Sequence, residues 1–220
     1  MARTVKNMSR RMLWVMLLPI VAVWSPLAAE ETAQEVLEKT KNMYDSISDA
    51  QIKFSQKTKF ELSKIEQNVS GTLYLKKANK YRLETEGQTV VTDGETVWSY
   101  TVTNKQVLVD HFKVDENTIT PERILTAAPN DYISTLLGKD KIGKTEVVAL
   151  KLTPKGEQSL VKSMKLWIDN STWLIRKALI TDVNGKQTEY LVTEAKTNMG
   201  IQDSRFVFQV PEGVEVVDLR

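Results

Sequence analysis

The residue types that run most enzymes are thinly spread in this chain. His111 is its only histidine and cysteine is absent, so neither a His/Cys metal cage nor a thiolate nucleophile can be assembled. No serine stands in a G-x-S-x-G elbow, the sharp turn that would expose a catalytic hydroxyl. Gly71, Gly87 and Gly94 lie too far apart to wrap a phosphate, and turns between strands account for them. Asp182 and Glu189 are candidates for the paired carboxylates of a hydrolase, but they flank a hairpin and read as part of a polar face. His111 reads as a surface residue at a strand end. Asn68-Val69-Ser70 and Asn170-Ser171-Thr172 match the glycosylation pattern, a chance match if the chain is bacterial. The inventory points to binding rather than catalysis; a hydrolase with an unrecognised carboxylate pair stays as an alternative.

The elements that would position a binding surface are clear. Between Ser70 and Tyr100, Leu73, Leu75, Tyr81 and Leu83 share one parity with Val69, while Thr72, Tyr74, Lys76, Arg82 and Glu84 take the other. Side chains alternate across a strand, so these segments predict antiparallel strands with one apolar and one polar face. Ala50, Ile52, Phe54, Phe60 and Leu62 continue the apolar face upstream, interrupted by Gln56 and Thr58. Asp93-Gly94 and Asn184-Gly185 are hairpin turn signals. Further strands are expected over Val147–Leu152, Met164–Ile168, Trp173–Asp182, Gln187–Ala195 and Phe206–Val210.

Three helices are expected beside these strands. Thr32-Ala33-Gln34-Glu35 is a capping box, followed by Val36, Leu37, Thr40, Tyr44 and Ile47 at helical spacing, which predicts a helix over 33–47. Thr120-Pro121-Glu122 starts a second, carrying Ile124 and Leu125. Tyr132, Ile133, Leu136 and Leu137 before Gly138 suggest a third. Two short helices in an otherwise all-strand pattern read as a cover for an apolar sheet face. Such a face under a thin cover suits lipid or acyl chains; the alternative is an ordinary filled core.

Residues 1–29 read as a secretory signal peptide. Arg3, Lys6, Arg10 and Arg11 precede a 13-residue apolar run, Met12–Trp24, and Ser25-Pro26-Leu27-Ala28-Ala29 closes it. The run is short beside the about 20 residues of a membrane span, and an uncleaved anchor is the alternative. All 28 acidic residues lie after Ala29 but four of the 30 basic ones do not, so the charge of +2 becomes −2 in the mature chain. Neither nucleic acid nor an anionic membrane surface is indicated. Without cysteine there is no lipid-modified N-terminus, and the expected address is the periplasm of a diderm bacterium. Residues 30–220 suit a single domain.

In order along the mature chain come Phe54-Ser55-Gln56, Gly71-Thr72-Leu73-Tyr74-Leu75-Lys76-Lys77, Val90-Val91-Thr92-Asp93-Gly94-Glu95-Thr96-Val97-Trp98-Ser99-Tyr100, Leu152-Thr153-Pro154-Lys155, Asp182-Val183-Asn184-Gly185 and Phe206-Val207-Phe208-Gln209-Val210-Pro211-Glu212-Gly213-Val214. This ordered set resembles the periplasmic outer-membrane lipoprotein carriers of the LolA type. The resemblance implies a half-open antiparallel β-barrel of about 11 strands, its apolar hollow covered by an N-terminal helix and short lid helices. It implies a non-catalytic, cofactor-free carrier, expected to be monomeric. Its partners would be acylated lipoproteins, the inner-membrane ABC transporter that releases them and an outer-membrane acceptor. Ile52, Phe54, Leu73, Leu75, Tyr81, Leu83 and Val90 are expected to line the hollow, with Ile124, Leu125, Ile133 and Leu136 as lid contacts. Family members often carry Lys-Arg-Pro where this chain has Lys76-Lys77-Ala78. Lys77 would therefore replace the arginine that latches the lid, and parity places it on the apolar face, without the planar donor fork of arginine. A carrier or sensor of free lipid or glycolipid, or a non-catalytic envelope interaction domain, is the rival reading.

Overall fold

Among the described residues twelve strands hydrogen-bond into one sheet in the order β12-β6-β5-β4-β3-β2-β1-β11-β10-β9-β8-β7. The computed structural model describes Met1 and residues 31–61, 63–113, 130–156 and 159–220. The strands are β1 (Asp49–Lys59), β2 (Glu66–Lys76), β3 (Lys80–Thr85), β4 (Gln88–Thr92), β5 (Thr96–Thr101), β6 (Gln106–His111), β7 (Tyr132–Ile142), β8 (Thr145–Pro154), β9 (Val161–Asp169), β10 (Ile175–Asp182), β11 (Gln187–Thr197) and β12 (Glu215–Asp218). β7 and β12 are the two ends of the order, so the sheet is open rather than closed. Sheets wider than about ten strands curl as their twist accumulates. Two antiparallel runs, β1 to β6 and β7 to β11, meet where β1 pairs with β11, from Ala50 opposite Thr197 to Lys59 opposite Gln187. β12 lies parallel to β6.

Helix α1 (Ala33–Ser46) starts where the capping box predicts. The Thr32 hydroxyl accepts from the Glu35 N–H at 3.2 Å, and the Thr32 N–H donates to the Glu35 carboxylate at 2.7 Å. Val36 and Leu37 then pack against Val148, Leu150 and Leu152 of β8, Met164, Leu166 and Ile168 of β9, and Ile175 and Ile180 of β10. This cluster is the main core. Tyr44 reaches it too; its hydroxyl accepts the Ile175 N–H at 3.3 Å, and burial pushes that hydroxyl up to about 12, so it stays neutral.

The turns are built by the residues that signal them. In the β4–β5 connection the Asp93 carboxylate accepts the N–H groups of Glu95 and Thr96, at 2.9 and 2.8 Å. Gly94 sits at φ +100°, where a Cβ would lie 2.5 Å from the Ala78 carbonyl oxygen. Asp182 caps the β10–β11 turn through the N–H groups of Asn184 and Lys186. Its carboxylate, like that of Glu189, which pairs with Lys177 at 2.8 Å, is engaged structurally.

Two expectations need correction. Tyr132 to Leu137 is not helical but the first half of strand β7, interrupted by a bulge between Leu136 and Gly138. Phe206–Val210 is not a strand: Asp203–Phe206 forms a 3-10 turn and irregular chain follows. The last strand is instead β12. The expected helix carrying Ile124 and Leu125 lies outside the described residues.

Candidate functional site

Cross-strand partners share a face, so the registers sort every strand. β8, β9 and β10 turn Leu150, Leu166 and Ala178 toward α1, and Ala178 stands opposite Tyr190 of β11. Tyr190 stands opposite Gln56, and Val192 opposite Phe54. From β1 the same face runs through Ile52, Leu73, Leu83 and Val90, a row of four apolar side chains on four adjacent strands. Leu75 and Tyr81 form the neighbouring row. All seven predicted lining residues are therefore together, on the α1 side of β1 to β4. At about 4.8 Å per strand the first row extends about 14 Å.

Each of the seven is half-buried, whereas Leu150, Leu152, Leu166 and Ile168 are 0 % exposed. Phe54 leans over Gly71, its β2 partner: a Cβ on Gly71 would stand 3.0 Å from the Phe54 ring and 2.6 Å from the Glu84 carbonyl oxygen. That glycine is what lets a large ring lie across the sheet. Tyr190 packs against the main core and stands 6.5 Å from Phe54, ring centre to ring centre, so it bridges core and patch. Burial raises both the Tyr81 and the Tyr190 hydroxyls, keeping them neutral donors on an apolar surface. Tyr190, Val192 and Gly71 were not among the expected lining residues. The alternation of Thr188, Tyr190 and Val192 was the available signal.

The opposite face of the same strands is closed by the chain itself. Residues after β11 leave along Asp49, whose carboxylate accepts the N–H groups of Met199 and Gly200 at 2.7 and 3.0 Å. Lys76 donates to the Ile201 carbonyl at 2.7 Å and to Asp203 at 2.6 Å, and Lys80 donates to Asp203 at 2.8 Å. These two lysines hold the Asp203 carboxyl down at about 2. Arg205 stacks 4.1 Å from the Tyr74 ring centre and faces Glu84 at 3.7 Å. Phe206 is 0 % exposed, and Phe208 meets Tyr100 with ring centres 6.0 Å apart.

Of the remaining expected site residues, Leu136 faces α1 and packs against the core from β7. Ile133 points to the other side of that strand and is 57 % exposed. Neither lies on a lid helix. Lys77 is not carried by the strand alternation either, because β2 ends at Lys76. It opens a turn through Ala78 and Asn79, both at positive φ, and its side chain is exposed while its N–H donates to the Ser48 carbonyl. Its neighbour Lys76 does hold a backbone carbonyl, that of Ile201 in the C-terminal segment on the opposite face.

Among the described residues no helix is long and apolar enough to cross a membrane, and no group of three or more His, Cys, Asp or Glu side chains is placed to hold a metal ion.

Comparisons with known proteins agree with this geometry. Two relatives named outer-membrane lipoprotein carrier protein match: one from Hahella chejuensis at 28 % identity, covering 74 % of this chain and 79 % of that one, and one from Haemophilus influenzae at 30 %, covering 70 % and 73 %. An uncharacterized conserved protein of known crystal structure from Thermus thermophilus shares the fold at a TM-score of 0.58 and 17 % identity, over 84 % of this chain and 98 % of that one. The family model "Outer membrane lipoprotein carrier protein LolA" matches residues 45–209, and the chain belongs to that family.

Proposed function

We propose that this protein is a periplasmic carrier that shields the acyl chains of lipoproteins released from the inner membrane and delivers them to the outer membrane. It works by binding, not catalysis, as befits a member of a carrier family. The observation that carries the reading is the row Ile52, Leu73, Leu83 and Val90, flanked by Phe54, Leu75 and Tyr81, all half-buried on one face. Each methylene taken out of water is worth about 0.8 kcal/mol, so a long-chain acyl group does not cross an aqueous compartment unshielded. A half-buried apolar face offers that shielding and can still release what it holds.

The same reading makes residues 1–29 a signal peptide that is removed, and residues 30–220 a single carrier domain. An inner-membrane ABC transporter would load the carrier and an outer-membrane acceptor would unload it. Ile124 and Leu125 would serve as cover, with Lys77, exposed at the rim after β2, as the latch on it. Mass spectrometry of material co-purified from the native host tests the proposal. Acylated proteins are expected; free lipid or glycolipid alone would overturn it in favour of a lipid carrier, and an empty protein that excludes apolar dyes would indicate an interaction domain.

A further inference from the structure

Gln56 and Thr58 interrupt the apolar alternation of β1. Gln56 stands directly opposite Tyr190 of β11 and Val69 of β2, and Thr58 opposite Thr188 and Gln67. The β1–β11 register runs without a break from Phe54 to Lys59. Phe54, Gln56 and Thr58 therefore share one face with Val192, Tyr190 and Thr188. Contacts set that face on the α1 side: Tyr190 packs against the main core, and its ring centre lies 6.5 Å from that of Phe54. The Gln56 side-chain amide donates to the Thr58 hydroxyl oxygen at 3.2 Å, so these two side chains lie together. Thr58 is buried, whereas Gln56 and Tyr190 are half-buried. Among the described residues the Tyr190 hydroxyl makes no hydrogen bond, and the second N–H of the Gln56 amide has no acceptor. Two neutral donors thus stand at the β11 end of the patch that runs through Phe54, Ile52, Leu73, Leu83 and Val90.

While the patch is uncovered, solvent can serve these donors. A chain laid over the patch expels that solvent, and a covered donor left without an acceptor is costly. Hydrocarbon offers no acceptor, whereas a carbonyl oxygen offers two lone pairs, so the fitting ligand joins carbonyl oxygens to alkyl chains. We propose that Gln56 and Tyr190 form a polar subsite that donates to the ester carbonyl oxygens of the diacylglyceryl group on an acylated cargo. The subsite fixes the direction of the chains, with their carbonyl ends at β1 and β11 and their methyl ends toward Leu83 and Val90. From β11 to β4 is four strand spacings, about 19 Å. This assignment rests on the carrier reading above. A phospholipid carries the same esters, and the test separates the two sources.

The purified protein is titrated with three probes of equal chain length: an S-diacylglyceryl-cysteine peptide, its dialkyl ether counterpart lacking the ester carbonyls, and phosphatidylcholine. The ester peptide is expected to bind about tenfold more tightly than the ether peptide, the scale of covered donors left without acceptors. Gln56→Leu and Tyr190→Phe each reduce that ratio, and the double variant equalises the two affinities. Tyr190→Phe keeps the ring that packs against the core, so it carries the test if the Gln56 variant does not fold. Equal wild-type affinity for the two peptides overturns the assignment while leaving the carrier reading intact, as does a preference that survives in the double variant. Tighter binding of phosphatidylcholine than of the ester peptide overturns it in favour of free lipid. An ester peptide bearing a photoreactive diazirine at the chain terminus is expected to label β3 and β4; labelling of β11 instead overturns the direction. Failure of both peptides to bind overturns the carrier reading together with the assignment.

Discussion

Leu150 and Leu83 are leucines in strand interiors of one sheet, both turned to the α1 side, yet Leu150 is fully buried and Leu83 only half-buried. The difference lies in what packs where. On β8 to β10, helix α1 fills the face with Val36 and Leu37. On β2 to β5, the chain's own packing is on the opposite face, where the C-terminal segment seats Phe206 and the Lys76–Asp203–Lys80 cluster. Among the described residues one half of the sheet is packed on the α1 side and the other from behind, and in the proposed function the α1 side of that second half takes the ligand. Folding and the proposed binding thus draw on different faces of neighbouring strands.

That division can be broken by mutation. Phe206→Ala removes the anchor behind the open half and is expected to cost about 3–5 kcal/mol in urea unfolding; a cost below about 1 kcal/mol would show that the segment does not support the sheet. Leu150→Ala should cost about 2–5 kcal/mol, with Leu83→Ala costing markedly less but weakening acylated-peptide binding. Equal costs for the two would end the comparison. Gly71→Ala forces a Cβ against the Glu84 carbonyl and the Phe54 ring, so an overpacking cost of about 1–3 kcal/mol is expected, with weaker peptide binding because Phe54 is displaced. Unchanged binding would place Phe54 outside the site.

The smallest effect is one of pH. Hydrogen bonds from Lys76 and Lys80 lower the Asp203 carboxyl from 3.8 to about 2. A carboxyl depressed in the folded state stabilises above the unfolded value and loses that contribution as pH falls through the folded one. Asp203→Asn should therefore flatten the acid limb of stability between about pH 4 and 2 relative to the parent protein. Parallel acid limbs for the two would mean that the cluster is inert.

Much of this was legible in the sequence because it rests on period-two alternation and on turn and cap chemistry. The parities of Ile52, Phe54, Leu73, Leu75, Tyr81, Leu83 and Val90 match the registers, and the Thr32–Glu35 box is closed as written. The misreadings have physical causes. In β7 the bulge after Leu136 leaves Leu137 as an extra residue and Gly138 at φ +105°. The insertion spoils the alternation and leaves Tyr132, Ile133, Leu136 and Leu137 at spacings that imitate a helix. Phe206 and Phe208 alternate like a strand, but their side chains are recruited separately, one into burial and one onto Tyr100. β12 is four residues long and is specified by its parallel partner β6, which no local pattern reveals.

The pairing of β1 with β11 has a kinetic meaning. Within each run, hairpins close between neighbours in sequence, but Ala50 must find Thr197 across nearly the whole described chain. Such a closure carries the largest loop entropy, and non-local strand pairing is the slow part of β folding. During synthesis from the N-terminus the first run emerges long before its partner strand, so until β11 arrives one side of β1 is an unpaired edge. The seam that joins the two halves is thus also the interval in which the newly made chain is most open to wrong partners.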